Sequence, residues 1–193
     1  MQVHLMTDRL LLRRFTDADV DALTDLDGDP EVMHFVTGGR PTTRSEIVDD
    51  VLPAFLGYYA RSAHFGFWAA LVRPTATFIG WFHLRSAERD DPDDPELGYR
   101  LRRDAWGLGY ATEGSRALID KAFTETTIRR VHAETMTVHT ASRRVMENAG
   151  LRHCRTFHQD WPFPIPGDEY GDVEYALTRA EWLAARGAEP ARA

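Results

Sequence analysis

Hydrophobic positions along the chain follow two periods, and they divide it into short strands and longer helices. Runs rich in β-branched and aromatic residues predict seven strands, over 9–15, 65–72, 77–85, 96–101, 129–138, 152–159 and 172–177. Between them, apolar residues recur three and four positions apart. This spacing predicts helices after Thr16, over 43–61, from Ala111 to about Thr126, over 140–149 and over 178–186.

The connecting segments carry the usual breakers. We interpret Pro30 to Thr42 as a loop because Gly38, Gly39 and Pro41 interrupt it. Pro53 is expected to kink or split the helix over 43–61. The acidic segment 86–95 is predicted to be a solvated hairpin turn, and the small polar residues from Gly187 a disordered tail.

This order of elements predicts an α/β fold in which helices cover both faces of a mixed, mostly antiparallel sheet. The chain has 193 residues, which suits one domain over 1–186 and a tail over 187–193. Its net charge of −7 argues against nucleic acid as a partner, and no apolar run is long enough to span a membrane. A lone Cys154 excludes an internal disulfide, and we expect a cytoplasmic protein.

The most informative stretch runs from Arg102 to Ser115, between a predicted strand and a predicted helix. Gly107 and Gly109 allow backbone conformations closed to other residues and leave room for a ligand. Free N–H groups at the following helix start favour an anion. The segment lacks the lysine of a P-loop, and Thr112 stands where a dinucleotide fingerprint needs glycine.

A third glycine motif fits better. Trp106-Gly-Leu-Gly109-Tyr-Ala111 resembles the pyrophosphate loop of the GCN5-related N-acetyltransferase (GNAT) superfamily, with Trp in the first position as in its RimJ/RimL-like group (ribosomal-protein alanine acetyltransferases). The opening from Thr7 to Asp19 is similar to the start of that group. Ser142, Glu147 and Gly150 match a second family segment, in which His139 replaces the usual Asn.

The resemblance implies the GNAT fold, with one parallel strand pair that splays apart to admit acetyl-coenzyme A. It also implies a set of cofactor-binding residues on the strand end, the glycine loop and the second segment: Leu101, Arg102, Arg103, Trp106, Gly107, Leu108, Gly109, Tyr110, Ala111, Thr112, His139 and Ser142. Within this set, Leu101 and Arg103 would pair with the pantetheine amides like an added strand.

The implied reaction is direct attack of a primary amine on the thioester in a ternary complex. An α-amine with a pKa near ~8 costs about 1.4 kcal/mol to deprotonate at pH 7, so a modest base suffices. Glu96 is the candidate base, and a pKa raised by partial burial would suit that role. Ser142 matches the position of a general acid in the resembled group, although serine is also common near helix starts.

The acceptor wall is predicted to be aromatic, with acids nearby. It consists of Met33, His34, Phe35, Trp161 and Phe163. This composition suits a cation with an apolar body, either a protein N-terminus or a small amine. We expect a monomer or a homodimer. No spacing of the eight histidines predicts a metal site.

Two other functions remain open from the sequence. An acyl-coenzyme A sensor without catalysis would keep the fold and the glycine loop. An NADP-binding oxidoreductase would use the same loop, but Thr112 and the lack of a second nucleotide-binding half argue against it.

Overall fold

The computed structural model describes residues 2–86, 91, 93–159, 161 and 164–187. Its strands are β1 (Val3–Met6), β2 (Leu10–Arg14), β3 (Gly66–Val72), β4 (Thr77–Arg85), β5 (Glu96–Leu101), β6 (Arg130–Met136), β7 (Arg152–Phe157) and β8 (Asp172–Thr178). Its helices are α1 (Val20–Asp27), α2 (Pro30–Thr37), α3 (Arg44–Glu46), α4 (Leu52–Arg61), α5 (Tyr110–Glu125), α6 (Thr140–Asn148) and α7 (Arg179–Gly187).

The strands form one sheet in the order β1-β2-β3-β4-β5-β6-β8-β7. Every neighbouring pair is antiparallel except β5 and β6, which run parallel. In the described residues their register contains a single pair, Glu96 with His132, at the start of both strands. Beyond that pair the two strands separate, so the sheet opens toward their carboxyl ends. The predicted fold class, including the splayed parallel pair, is confirmed.

The sheet buries a hydrophobic core on each face. The larger core packs strands β2 through β6 and strand β8 against helices α5 and α6. Its buried residues include Trp68, Phe82 and Tyr175. The smaller core lies on the opposite face under α1, α2 and α4, and includes Phe55 and Phe67. Neither α1 nor α4 belongs to the larger core, so the two helix groups are separated by the sheet.

Two sequence predictions of elements are wrong. The sheet has eight strands, because the predicted first strand is preceded by β1, which pairs with β2. Residues 30–37 form α2 rather than a loop. Asp29 caps its start by accepting a hydrogen bond from the Glu31 N–H, Pro30 occupies the first turn, and Gly38 ends the helix at φ +68°. The apparent breakers are therefore helix-terminus signals.

The structure adds detail at Pro53 and at the acidic turn. A π-helical segment, Ile47–Val51, divides the predicted helix directly before α4, and Pro53 lies in the first turn of α4. In the described part of the acidic turn, Asp93 and Asp94 pair with Arg129 and Arg130 across the start of β6. These ion pairs tie the turn to the sheet while Arg129 stays exposed and Asp93 partly exposed, and residues 87–90 and 92 lie outside the described residues. Residues 188–193 of the predicted tail lie outside the described residues.

Close packing at one glycine brings α5 against the sheet. A Cβ on Gly114 would lie 2.3–2.8 Å from three ring atoms of Phe82, which is fully buried in β4. Gly57 in α4 is also helical, but a Cβ there would meet nothing within 4 Å.

These two glycines should respond oppositely to alanine. We expect Gly114→Ala to destabilise the fold by about 1–3 kcal/mol through overpacking. Gly57→Ala should stabilise it by up to ~1 kcal/mol, because alanine is the better helix former. Urea unfolding of both variants measures the free energies. A stabilising Gly114→Ala would show that Phe82 yields easily and that the close approach is not a constraint.

Candidate active site

The glycine turn forms a left-handed corner between β5 and α5. A 3-10 turn, Arg103–Ala105, leaves the strand, and Gly107 and Gly109 then have φ values of +71° and +81°. Gly109 is the N-cap of α5, and no side chain in the described residues caps this helix. The first N–H groups of α5 have no intrahelical partner. The turn thus presents backbone donors at the positive end of a helix dipole, which is the chemistry that a phosphate group requires.

A network of side chains from the β1–β2 turn fixes the glycine turn in place. Arg9 donates from Nη1 to the Leu108 carbonyl at 2.9 Å and from Nε to Glu113 Oε2 at 2.6 Å. Thr7 Oγ1 donates to Glu113 Oε1 at 2.5 Å. The Arg9 guanidinium also lies 4.6 Å above the Tyr110 ring centre. The β1–β2 turn therefore holds the first turn of α5, which follows about 100 residues later in the chain.

Sequence reasoning did not identify this network. Thr7 and Arg9 belong to the opening motif, and Glu113 directly follows the glycine loop, so each was visible as part of a resemblance. The pairing of a carboxylate with a cation so distant in sequence has no local signal. The two motifs would have suggested it only if they were considered together.

The edge of β5 that faces β6 carries free backbone groups. His132 N–H donates to the Pro95 carbonyl at 3.1 Å, and Arg102 N–H donates to the Ile79 carbonyl of β4 at 2.9 Å. Backbone groups alternate between the two edges of a strand. The backbone N–H and C=O groups of Tyr99 and Leu101 therefore face the opening between β5 and β6 (the splay). Leu101 lies where the sequence placed it, whereas Arg103 belongs to the 3-10 turn and does not extend the strand.

Trp106 covers the end of this edge. Its indole Nε1–H donates to the Leu101 carbonyl at 2.8 Å, while 48% of the residue stays exposed. The tryptophan that replaces the usual Gln or Arg of the loop motif thus folds back onto the strand. This contact fixes the loop relative to the splay.

The two arginines after β5 have different partners in this structure. Arg103 Nε donates to Asp29 Oδ2 at 2.8 Å, so this side chain ties the turn to the N-cap of α2. Arg102 makes a longer contact of 3.4 Å with Asp104. The sequence predicted phosphate contacts for both, and in this structure Arg103 is already paired.

On the far side of the splay, α6 begins with His139 and Ser142. The His139 ring stacks on Phe35 of α2, with ring centres 4.1 Å apart. Burial, with a smaller contribution from His34, lowers the pKa of His139 to about 4. Ser142 is 9% exposed and accepts a hydrogen bond from the Tyr99 hydroxyl at 3.2 Å. Burial raises the pKa of Tyr99 to about 12, so Tyr99 remains a proton donor at neutral pH.

The predicted acceptor wall is only partly assembled as expected. Phe35 lies against His139, as just described, and His34 is exposed beside it. Met33 is 1% exposed, so its side chain packs beneath α2 and offers no surface to an acceptor. Trp161 is half-buried, and Phe163 lies outside the described residues.

Glu96 is an ion-paired carboxylate and not the raised-pKa glutamate that the sequence predicted. Arg85 contacts its Oε2 with Nη2 at 2.6 Å and Nε at 2.9 Å. Burial tends to raise the pKa of Glu96, but His83 and Arg85 outweigh it and lower the pKa to about 2. The expectation failed because Arg85 lies on the neighbouring strand, where the sheet register places it opposite Glu96.

A second carboxylate, Glu134, has the property expected of Glu96. It lies two residues beyond His132 on β6, on the same sheet face as Glu96, where the splay has begun. Glu134 is an exposed residue of β6, and its partial burial, together with the neighbouring carboxylates Glu96 and Glu174, raises its pKa against the opposing effects of His132 and Arg155. Its cationic neighbour Arg155 is 3.8 Å away and binds Glu174 more closely, at 2.6 Å. The sequence analysis assigned no role to Glu134.

The described residues contain no group of three His, Cys, Asp or Glu side chains arranged to hold a metal ion. Among those residues there is also no helix with the length and apolar character needed to span a membrane.

Comparisons with known proteins agree with this geometry. A sequence model for the acetyltransferase (GNAT) domain matches residues 9–152. The FsC-acetyl coenzyme A-N(2)-transacetylase of Aspergillus fumigatus is 39% identical over 165 residues, which cover 82% of this chain and 68% of that protein.

Solved structures share the fold at lower identity. RimL, a ribosomal L7/L12 α-N-protein acetyltransferase in complex with coenzyme A, superposes with a TM-score of 0.76 at 18% identity, covering 92% of this chain and 98% of that one. Spermidine N-acetyltransferase from Vibrio cholerae gives 0.73 at 15% identity, covering 92% and 99%. The domain match spans most of the chain and includes the glycine turn and the splayed strands, and the chain therefore belongs to the GNAT family of acetyltransferases.

Proposed function

We propose that this protein transfers an acetyl group from acetyl-coenzyme A to a primary amine, which attacks directly in a ternary complex. The observation that carries the proposal is a juxtaposition at the splay between β5 and β6. An uncapped helix start with a glycine turn lies at the open end, and two carboxylates of opposite pKa shift lie on the adjoining sheet face.

The residues at the splay fit the cofactor. Backbone N–H groups from Gly107 to Thr112 would hold the pyrophosphate, and the backbone groups of Tyr99 and the N–H of Leu101 on the open edge of β5 would hydrogen-bond the pantetheine amides. Arg102 can reach a phosphate more readily than Arg103, whose guanidinium is bound to Asp29. When bound, acetyl-coenzyme A supplies a thioester, which is an acyl group activated toward a neutral amine.

Deprotonation of the amine is assigned to Glu134, with Glu96 in support. Two neighbouring carboxylates whose environments push their pKa values apart divide into a proton acceptor and a fixed charge. Glu96 stays ionised because of Arg85, attracts the ammonium form of the acceptor and keeps the proton affinity of Glu134 high. We therefore move the role of base from Glu96 to Glu134 and retain Glu96 as the anionic partner.

Protonation of the departing thiolate is assigned to the hydrogen-bonded pair of Ser142 and Tyr99. Ser142 lies in the first turn of α6, and its hydroxyl already accepts a hydrogen bond from the Tyr99 hydroxyl. A proton lost from Ser142 would therefore be replaced from Tyr99.

The acceptor class rests on charge and on the relatives. Their names specify a protein N-terminus, spermidine and an N(2) position, which share an amine as the acceptor group. The carboxylates beside the splay suit such a cation, and the exposed His34 and the half-buried Phe35 offer it an aromatic edge. A monomer or homodimer in the cytoplasm remains a prediction from the sequence.

The cofactor site is tested by Gly109→Val. A valine at φ +81° blocks backbone approach to the pyrophosphate. We expect the Kd for acetyl-coenzyme A to rise at least about tenfold, equivalent to the loss of one hydrogen bond to a charged group. Isothermal titration calorimetry measures this without an acceptor. Unchanged affinity would refute the placement of the pyrophosphate.

Gly150→Val is the matched control for backbone strain. Gly150 has φ +97°, and a Cβ there would meet its nearest neighbour at an ordinary 3.8 Å. It should lower the melting temperature much as Gly109→Val does, while leaving the affinity for acetyl-coenzyme A unchanged.

The division of roles between the carboxylates is tested by Glu134→Gln and Glu96→Gln. We expect Glu134→Gln to lower kcat by about 10²- to 10⁴-fold, the usual contribution of a general base. In the wild type, kcat should rise with pH through the pKa of Glu134. Because Glu96→Gln removes a negative neighbour, it should shift that rise to lower pH with a smaller loss of kcat.

The assay screens spermidine and short N-terminal peptides and uses the best acceptor found. Glu125→Gln, an exposed position near the end of α5, is the control for loss of a carboxylate. A variant pair in which only Glu96→Gln abolishes turnover would restore Glu96 as the base. Tight binding of acetyl-coenzyme A without turnover of any amine would instead favour an acyl-coenzyme A sensor.

A further inference from the structure

One buried polar side chain near the splay has no role in the chemistry described so far. His83 of β4 is 6% exposed, and neither ring nitrogen has a hydrogen-bond partner among the described residues. A buried polar group without a partner costs about 1–3 kcal/mol, and natural proteins rarely keep one without a reason. The position of His83 is therefore expected to serve something other than stability.

The His83 ring is held rigidly by its neighbours. Its ring centre lies 5.6 Å from that of Trp81 in a nearly parallel stack, and the edge of Phe67 closes a second side at 5.0 Å. Directly across the strand pair lies Gly98, and a Cβ there would come within 2.5 Å of His83 Cε1 and 2.6 Å of Nε2. The Cε1–Nε2 edge of the imidazole therefore occupies the space that a side chain at position 98 would need.

This placement directs His83 toward Glu96. The Nε2 atom is 3.7 Å from Glu96 Oε1, slightly longer than a hydrogen bond. The other carboxylate oxygen, Oε2, is held by Arg85 at 2.6 Å. Glu96 thus has a cation bound to one oxygen and the edge of a buried imidazole beside the other.

The same geometry places Glu96 relative to the splay. Glu96 pairs with His132 at the point where β5 and β6 separate, and Glu134 follows on the same face of β6. A rotation of the Glu96 side chain would move its charge away from both the acceptor and Glu134. The absence of a side chain at Gly98 leaves the space beside this carboxylate to the His83 ring.

We propose that His83 is a positioning residue that holds the Glu96 carboxylate at the splay, and that glycine at position 98 is required for it to do so. The inference rests on the proposed function, in which Glu96 is the fixed charge beside the acceptor amine. His83 touches neither substrate nor cofactor and acts only through Glu96.

The test is a double-mutant cycle between His83 and Glu96. We expect His83→Leu to lower kcat/KM for the amine about tenfold in the wild-type background, and to have almost no effect in the Glu96→Gln background. His83→Gln should retain most of the activity, because its amide nitrogen can occupy the place of Nε2. The Kd for acetyl-coenzyme A should stay unchanged in all four variants, which are the two single variants, the double variant and His83→Gln. Equal losses in both backgrounds, or no loss in either, would overturn the proposal.

Gly98→Ala gives an independent route to the same displacement. It leaves His83 in the chain but forces the ring away, so it should reproduce the loss caused by His83→Leu. Gly57→Ala is the control, because its Cβ enters open space. Wild-type kcat/KM in Gly98→Ala would show that the ring position does not matter and would overturn the requirement for glycine.

Stability separates positioning from simple packing. Leucine fills the slot and removes two unpartnered nitrogens, so His83→Leu should leave the melting temperature unchanged or raise it while activity falls. A fall in melting temperature that parallels the loss of activity would assign His83 a structural role instead.

A readout that needs no acceptor distinguishes failure of this proposal from failure of the proposed function. Carbon-13 NMR of labelled glutamate carboxyls follows the titration of Glu96, whose pKa is lowered to about 2 in the wild type. His83→Leu should raise that pKa toward its ordinary value, and an unchanged pKa would overturn the proposal. If the pKa shifts but the wild type acetylates no amine, the positioning contact stands and the acetyl-transfer function fails.

Discussion

The separation of β5 from β6 is the constraint on which the rest of the structure depends. A strand in the middle of a sheet normally satisfies its backbone groups on both edges, and unpaired groups are costly when they are buried. Here β5 is fully paired with β4, but its pairing with β6 contains one register pair, Glu96 with His132, in the described residues. The backbone groups of Tyr99 and the N–H of Leu101 on this edge are therefore a ready template for an extended polar ligand, and Trp106 already binds the Leu101 carbonyl.

The surrounding elements hold this opening in a fixed shape. Gly114 lets α5 approach the sheet at a distance that a Cβ would prevent, and the Arg9–Glu113 pair fixes the first turn of that helix. On the other side, the stack of Phe35 on His139 joins α2 to the start of α6. The walls proposed for the cofactor and for the acceptor are thus connected to each other, as well as to the sheet. Interactions of this kind pre-organise a site before any ligand arrives.

Electrostatics divides the carboxylates of the open sheet face into distinct roles. Glu96 and Glu174 each contact arginine closely, and both have lowered pKa values. Glu134 lies directly opposite Glu174 in the register, and its pKa is raised by partial burial and by the carboxylates Glu96 and Glu174, while Arg155 at 3.8 Å offsets this only in part. Like charges placed side by side are unfavourable for stability. Their retention next to the splay is consistent with a role in binding and deprotonating a cationic amine.

The sequence by itself determined the features whose causes are local. Period-two and period-3.6 patterns located seven of the eight strands and most helices, and Gly107 and Gly109 marked the turn because only glycine accepts their positive φ at low cost. The same local reasoning failed at α2, where Pro30 and Gly38 are the ends of a helix and not breakers of one. Only the tertiary structure decided the roles of the charged residues. The pKa values of Glu96 and Glu134 depend on Arg85, His83 and Glu174, which are brought close by strand register. Coulomb interactions and burial follow distance in space, and sequence patterns do not encode that distance.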